Sequence, residues 1–159
     1  MEDLKSSLAA HPFFADLAPK HLETIVGCAK NVRFNAGDFI LREGEPADAF
    51  YLIKVGRVAV ETYVPHKGPI GIDMVSEGEV LGWSWLFPPY RWHFDARALD
   101  LTRAIALDGK CLREKKEIDH ELGHRLMTFF AQIMQEVLQA TRLRLLDMYQ
   151  NPELLKDNR

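Results

Sequence analysis

The sequence predicts a mainly β fold with helices at both ends. Between residues 31 and 108, short apolar runs alternate with polar residues and are separated by turns about every 8–12 residues. This pattern is typical of a β-sandwich, a jelly roll or a barrel. Helical spacing precedes this region, and residues 119–149 follow it with no proline and one glycine. At 159 residues, the chain is long enough for one domain with a substantial core.

The N-terminal segment, residues 1–30, is predicted to be helical in two pieces. Residues 3–10 form a short helix that ends at His11, because the residue before a proline disfavours the helical conformation. Pro19 suits the first turn of a second helix, over residues 19–29. The apolar face of that helix is formed by Leu22, Ile25, Val26 and Ala29.

The region 31–108 is predicted to hold the β-strands. Apolar or alternating runs occupy residues 32–34, 39–41, 50–53, 58–64, 70–74, 94–99 and 102–107. Turn-forming residues separate these runs at 35–38, 43–46, 56, 66–69 and 100. Short strands with turns at this spacing indicate a β-sandwich, a jelly roll or a barrel.

The C-terminal segment, residues 109–159, is predicted to contain a short charged helix over 110–117 and then a long helix over 119–149. Asp119 is a suitable N-cap for the long helix, and Asn151 with Pro152 ends it. Its apolar residues form two stripes: Leu122, Leu126, Phe129, Ile133 and Val137, and then Phe130, Met134, Leu138, Leu145 and Met148. So wide an apolar surface favours a homodimer through this helix over a helix that covers only its own barrel.

Composition limits the classes of partner and the compartment. The formal net charge is −3, which gives no general attraction for nucleic acids or anionic membranes. No apolar run approaches the roughly 20 residues of a membrane span, and the N-terminus lacks the pattern of a secretory signal. Cys28 and Cys111 match no metal or redox spacing, so we expect free thiols in a reducing cytoplasm.

An aromatic stretch lies near the middle of the chain, from Gly78 to Ala98. It places Trp83, Trp85 and Trp92 around the Pro88-Pro89 corner, and Phe87, Tyr90 and Phe94 lie beside them. Tryptophan combines a large apolar surface with one N–H that needs a partner when it is buried. The stretch predicts either an aromatic pocket or a small packed core beneath a long loop.

Several motifs, in this order and spacing, resemble the cyclic-nucleotide-binding domain of the catabolite-activator-like (Crp/Fnr) bacterial regulators. The matching segments are His11-Pro12-Phe13-Phe14 with Leu17, Phe34-x-x-Gly37-Asp38-x-Ile40, Glu43-Gly44-Glu45, Phe50-Tyr51-Leu52-Ile53-x-x-Gly56-x-Val58, Gly78-Glu79-Val80-Leu81-Gly82 and Ala96-Arg97-Ala98. The resemblance covers about residues 11–149. It implies an eight-stranded jelly-roll barrel with N-terminal helices, a long C-terminal dimer helix and a ligand pocket in the barrel beneath that helix.

The chain departs from the family pattern where the family binds its ligand. Trp83 stands where the family has a ribose-binding Glu, and Trp92-His93 stand where it has a phosphate-binding Arg-Ser or Arg-Thr. We therefore expect no binding of cyclic AMP in the family's usual manner, because the phosphate would lack its buried countercharge. Arg91 is one position away from the Arg site. The predicted ligand-binding residues are Gly82, Trp83, Ser84, Trp85, Arg91, Trp92 and His93.

A competing motif lies at the start of the long helix. His120-Glu121-Leu122-Gly123-His124 matches the H-E-x-x-H zinc-peptidase pattern, which puts two imidazoles on one helical face. A third ligand is missing, because Glu136 lies about 18 Å further along the same helix. We therefore predict no metal site, and a zinc site at His120 and His124 remains the minor alternative.

The sequence thus favours a cytoplasmic, non-catalytic regulatory domain with a small-molecule ligand, either a cyclic nucleotide or another compound, and no cofactor. Only about ten residues follow Tyr149, so we expect no direct DNA binding and either a stand-alone member without a helix-turn-helix or a fragment of a longer regulator cut at the linker. The alternatives are a ligand-free dimeric interaction module and the H-E-x-x-H zinc hydrolase.

Overall fold

A computed structural model describes residues 4–151 and residue 153. Its helices are α1 Leu4–Ala10, α2 Pro19–Val26, α3 Gly109–Ile118 and α4 His120–Gln150. Its strands are β1 Ala29–Phe34, β2 Phe39–Leu41, β3 Ala49–Val55, β4 Val58–Val64, β5 Gly68–Val75, β6 Val80–Leu81, β7 Asp95–Ala98 and β8 Thr102–Asp108. Two 3₁₀ turns, Pro12–Phe14 and Ser84–Leu86, complete the order of elements. The predicted β region between terminal helices is confirmed.

The eight strands form two antiparallel four-stranded sheets. The first sheet has the order β1-β8-β3-β6, and the second has the order β2-β7-β4-β5. Chain neighbours are thus distributed between the two sheets, which is the jelly-roll arrangement. Hydrogen bonds group the described strands into two sheets of four, and the predicted eight-stranded jelly roll is confirmed.

Two apolar cores lie on the two faces of the first sheet. The sandwich core lies between the sheets and consists of Leu41, Ala47, Ile53, Val58, Val60, Val75, Leu81, Trp92, Ala96 and Ala104. The helix-side core consists of Leu8, Phe14, Ile25, Cys28, Phe50, Leu52, Trp85, Leu86, Ile105, Leu107, Leu112, Leu122, Leu126 and Phe130. Successive side chains of a strand point to opposite faces, so β3 sends Leu52 to the helices and Ile53 into the sandwich.

The predicted helix over residues 19–29 is too long in the structure. It ends at Val26, and the Gly27 N–H closes its last turn on the Glu23 carbonyl at 3.2 Å. Ala29 already belongs to β1, where it is paired with Leu107 of β8. The helical spacing of apolar residues continues past the true end because both elements bury their apolar residues in the same helix-side core.

The expectation of free thiols is wrong in the structure, because Cys28 and Cys111 form a disulfide with their Cα atoms 5.8 Å apart. The two residues are 83 positions apart in sequence. They meet because β1 pairs with β8, whose last residue Asp108 leads directly into α3. No local spacing could reveal this contact, since it is created by the pairing of the first and last strands.

The long helix α4 has 31 residues, which corresponds to about 45 Å. Asp119 caps it as predicted, accepting a hydrogen bond from the Leu122 N–H at 3.1 Å. Leu122, Leu126 and Phe130 are buried against the domain. From residue 135 onward nearly every position is exposed, so this half of the helix extends away from the two cores. None of the described helices is both long and apolar enough to span a membrane.

Candidate functional site

The segment from Gly82 to Phe94 connects the first sheet to the second and carries the predicted site residues. Gly82 follows β6 with a φ of 95°, a conformation that L residues with side chains rarely adopt. The 3₁₀ turn Ser84–Leu86 comes next, and Trp83 caps it without a side-chain hydrogen bond. Ser84 is buried within this turn. The chain then passes a cis Pro88-Pro89 bond and returns toward β7.

Trp92 lies inside the sandwich core and is 5 % exposed. Its backbone is fixed by the Glu43-Gly44-Glu45 turn: the Trp92 N–H donates to the Glu45 carbonyl at 3.0 Å, and the Gly44 N–H donates to the Trp92 carbonyl at 2.9 Å. The indole lies over Gly82, where an added Cβ would be 2.7 Å from the ring carbon Cη2. Gly82 and Trp92, two of the predicted site residues, are therefore in direct contact.

Trp85 lies on the other side of the first sheet, in the helix-side core, and is fully buried. Its ring stacks on Phe50 with centroids 5.0 Å apart and meets Phe130 of α4 edge-on at 5.4 Å. Its Nε1–H has no hydrogen-bond partner among the described residues. The structure thus separates Trp85 from Trp92, and the predicted single aromatic pocket is divided between two cores.

Trp83 is half-buried and lies between these two locations. It packs against the helix-side core, and its ring meets Phe94 at a centroid distance of 6.4 Å. Phe94 in turn contacts Trp92 at the same centroid distance and packs against the sandwich core. An aromatic chain therefore runs from Trp83 through Phe94 to Trp92, across the end of the first sheet.

Arg91 and His93 are exposed on either side of Trp92. Arg91 donates from Nη1 to the Gly44 carbonyl at 3.2 Å, and its backbone bridges to Pro46. Because side chains alternate along an extended segment, burial of Trp92 turns both neighbours outward. Neither side chain faces the sandwich core, so Arg91 does not replace an inward-facing arginine.

The sequence reasoning missed Arg113, which holds this segment from α3. Its Nη1 donates to the Trp85 carbonyl at 2.7 Å, and its guanidinium lies 4.2 Å from the centre of the Tyr90 ring. Asp48 lies 3.5 Å from Nη2 of the same side chain. The charged composition of α3 gave no sign that this one arginine turns inward.

Known proteins share both sequence and fold with this chain. A family model described as the cyclic nucleotide-binding domain matches residues 31–118. The chain belongs to the cyclic nucleotide-binding domain family. A solved structure from Geobacter metallireducens GS-15 that is named for cyclic nucleotide binding is 28 % identical, with a TM-score of 0.77 over 86 % of this chain and 99 % of that one. A cyclic nucleotide-binding domain from Methylobacillus flagellatus has the same fold, with a TM-score of 0.74, 21 % identity and coverage of 84 % of this chain and 75 % of that one.

Curated relatives of this cyclic nucleotide-binding domain are longer proteins. The acetyltransferase Pat of Mycolicibacterium smegmatis is 34 % identical over 77 residues, which cover 48 % of this chain and 23 % of Pat. The CRP-like cAMP-activated global transcriptional regulator of Mycobacterium tuberculosis is 24 % identical over 119 residues, which cover 72 % of this chain and 53 % of the regulator. The chain therefore spans only about a quarter to a half of these two relatives.

Arg97, in the family motif Ala96-Arg97-Ala98, is another arginine near the predicted site residues in sequence. Arg97 forms a two-pronged pair with Glu61 across β7 and β4, with Nε–Oε1 at 2.9 Å and Nη2–Oε2 at 3.3 Å. The hydrogen bonds that Arg97 donates to the Glu61 carboxylate raise the pKa of the Arg97 guanidinium. Both prongs are occupied by this carboxylate, so Arg97 stabilises the second sheet.

The H-E-x-x-H residues of this cyclic nucleotide-binding domain lie in its outer surface. His120 and His124 are exposed, and Glu121 lies 3.5 Å from Lys20. His124 borders an open cleft of about 780 Å³, which His11 also lines. Burial lowers the pKa of His11, against the opposing effect of its 2.8 Å contact with the Gly78 carbonyl. Among the described residues, no group of three or more His, Cys, Asp or Glu side chains could hold a metal ion.

Proposed function

We propose that this domain is a cytoplasmic, non-catalytic regulatory domain that does not bind cyclic AMP in the family's usual manner. The observation that carries the proposal is the position of Trp92. Its indole lies inside the sandwich against Gly82, where the resemblance places the phosphate-binding arginine. A neutral ring thus stands where the family places a buried positive charge.

The chemistry at this position opposes a cyclic phosphate. Transfer of an anion out of water costs several kcal/mol unless a countercharge and hydrogen bonds replace its hydration. Trp92 offers neither a charge nor free volume, Arg97 is paired with Glu61, and Arg91 faces outward. Trp83 likewise replaces the family's ribose-binding carboxylate with an apolar ring. Each departure removes a different part of the usual ligand contact.

The output of the domain, in this proposal, is the position of α4 in a homodimer. The distal half of α4 carries a seam with alternating steps of four and three residues, apolar except at Thr141: Met134, Leu138, Thr141, Leu145 and Met148. Leu138 and Leu145 are 69 % and 54 % exposed within one chain. Seven-residue periodicity of this kind is the pattern of two helices that pack side by side. A second copy would cover a surface that a single chain leaves in water.

A second candidate function is a dimeric interaction module without any small ligand. It is favoured by the near-complete burial of Trp92 and Trp85 as members of two packed cores. Neither candidate function includes catalysis. The match to the acetyltransferase Pat covers only 23 % of that protein, so we do not infer acetyltransferase activity from it. The two candidates share the dimer helix and differ in whether a small molecule enters the sandwich.

The test is a titration with cyclic AMP and cyclic GMP, followed by tryptophan fluorescence and calorimetry. We expect no saturable response of the wild type at micromolar concentrations, where family-type binding would contribute about 8 kcal/mol. Saturable micromolar binding of cyclic AMP by the wild type would refute the proposal. Binding of a different small molecule with a change in tryptophan emission favours the regulatory domain over the ligand-free module.

A pair of variants makes the test specific. The variant Trp83→Glu/Trp92→Arg restores both family side chains, and we expect it to gain binding of cyclic AMP. The matched control, Trp83→Leu/Trp92→Leu, also removes both rings but supplies no charge, and we expect it to gain none. Equal gain in both variants would mean that volume alone excludes the nucleotide.

A further inference from the structure

The disulfide between Cys28 and Cys111 joins two elements that the strands already hold together. Cys28 lies between α2 and β1, and Cys111 lies in the first turn of α3. The Asp108 N–H donates to the Cys28 carbonyl at 2.8 Å, and the Asp108 carboxylate accepts from the Cys111 N–H at 3.0 Å. One residue therefore positions both cysteines through hydrogen bonds that do not depend on the S–S bond.

The bond is also reachable from solvent. A cleft of about 290 Å³ opens beside it and is lined by both cysteines together with Gly27, Lys30 and Asp48. Cys28 is 6 % exposed, and Cys111 is half-buried. The cleft has room for a small molecule but not for a folded protein, and Cys111 is the more exposed of the two residues.

We propose that Cys28 and Cys111 form a site of reversible thiol–disulfide exchange with a low-molecular-weight thiol, and that its redox state controls how firmly α3 is held. The inference rests on the proposed cytoplasmic function. In mesophiles, the disulfides of that compartment are usually transient or redox-sensing rather than structural. The preformed hydrogen bonds allow the S–S bond to open and close without refolding of the surrounding strands.

The exchange consumes two molecules of the small thiol. The first thiolate attacks Cys111 Sγ, the S–S bond breaks, and Cys28 leaves as a thiolate that takes up a proton. A second small thiolate then attacks the small molecule's sulfur in the mixed disulfide and releases Cys111 as a thiolate. Once the Cys111 thiolate has also taken up a proton, the two cysteines have gained two electrons and two protons, and the two small thiols have become one disulfide.

The consequence concerns the short helix that leads into α4. Leu112 packs in the helix-side core, and reduction removes the covalent link between the first turn of α3 and the residue that precedes β1. Asp119 joins the end of α3 directly to α4. A looser first turn of α3 is thus connected, through the rest of α3 and Asp119, to the helix that carries the proposed dimer surface.

The experiment uses the whole wild-type chain in buffers of reduced and oxidised glutathione at varied ratios. Mass-tagged maleimide counts the free thiols, and hydrogen exchange is measured over residues 109–118. We expect reversible reduction while the circular dichroism of the folded domain is unchanged. Amide exchange in the first turn of α3 should rise about tenfold on reduction, while the β4–β5 hairpin serves as an internal control.

A variant that lacks both cysteines provides the control for this experiment. The Cys28→Ala/Cys111→Ala variant should exchange like the reduced wild type at every glutathione ratio. The proposal is overturned if the bond opens only when the domain unfolds, because the disulfide is then a structural crosslink. It is equally overturned if α3 exchanges alike in both redox states. No nucleotide and no dimer is needed, so failure of the proposed function would not produce either result.

Discussion

The indole of Trp92 rests directly on the α-carbon face of Gly82. A Cβ added to Gly82 would lie 2.7 Å from Cη2 and 2.8 Å from Cζ3 of that ring, closer than real Cβ atoms approach other heavy atoms. Gly82 also has a φ of 95°. Two independent constraints, one of backbone conformation and one of space, thus require glycine at the start of the segment that carries the tryptophans.

The first prediction concerns this contact. Gly82→Ala should lower the free energy of unfolding by about 1–2 kcal/mol through its left-handed backbone alone, and by more because of the ring. In a Trp92→Leu background, the added Cβ no longer meets an indole, and the cost should fall toward the backbone value. Urea denaturation of the four members of this double-mutant cycle measures the coupling. Strict additivity of the two changes would contradict the contact.

The second prediction addresses Trp92 as a filler of the sandwich core. Trp92→Ala should destabilise the domain by about 3–5 kcal/mol, since it leaves a cavity lined by apolar side chains. Free indole should bind in that cavity and raise the melting temperature of the variant but not of the wild type. The half-buried Trp83 provides the control, because Trp83→Ala should cost less and should create no site for indole.

The third prediction tests the dimer seam of α4. Leu138→Glu/Leu145→Glu places charges on the seam and should convert the protein to a monomer, as measured by sedimentation at micromolar concentration. The control variant Gln135→Glu/Gln139→Glu adds the same number of charges at exposed positions beside the seam and should remain dimeric. A wild type that sediments as a monomer, or a control that dissociates equally, would count against the proposed interface.

The fourth prediction concerns the junction of α3 and α4. The hydrogen bond from the Leu122 N–H lowers the pKa of the Asp119 carboxyl most, and the nearby charges of His21 and Lys20 act in the same direction. Because the pKa of the Asp119 carboxyl is lower in the folded than in the unfolded state, the ionised carboxylate stabilises the fold above its ordinary pKa of about 4. This stabilisation is lost as the pH falls through the lowered folded-state pKa.

Asp119→Asn keeps a capping oxygen but removes the ionisable group. The unfolding free energy of the variant should therefore fall less steeply than that of the wild type between about pH 5 and pH 2. Denaturant titrations at a series of pH values give both slopes. Parallel slopes would assign the acid sensitivity to other carboxyls, such as Asp100, whose pKa the Arg57 hydrogen bond also lowers.

The fifth prediction is the stability that the disulfide contributes. The bond closes a loop between residues 83 positions apart, which by chain entropy stabilises the oxidised fold by about 4.5 kcal/mol. Cys28→Ala/Cys111→Ala should lose most of this amount in urea denaturation under oxidising conditions. Under reducing conditions, the variant and the wild type should have similar midpoints, and a persistent large difference would point to packing of the cysteines instead.

The sequence predicts the order of elements well, because strand alternation and helical spacing are local signals. It identifies seven of the eight strands by pattern and misses β6, which has two residues and no room for a period. Asp119 is recognisable as an N-cap for the same local reason. The disulfide escapes sequence reasoning because only the pairing of β1 with β8 makes its two cysteines neighbours.

The site was harder to predict than the fold. Three tryptophans within ten residues suggest one pocket, but Trp85 and Trp92 lie on opposite faces of the first sheet. The separation of the two tryptophans depends on the turn at Gly82 and on the outward direction of Arg91 and His93. Sequence spacing does not predict these directions, because the segment is an irregular loop. The family resemblance aligns Trp92 with a phosphate-binding arginine, and in the structure Trp92 is buried.

Strand β3 is covered on both faces, with Phe50 and Leu52 beneath the helices and Ile53 between the sheets. Neighbouring residues of one strand therefore belong to different cores, only one backbone thickness apart. A larger side chain in one core displaces the strand that forms the floor of the other. In related chains, we therefore expect the side-chain volumes on the two faces of β3 to covary, because a change of volume in one core must be accommodated in the other.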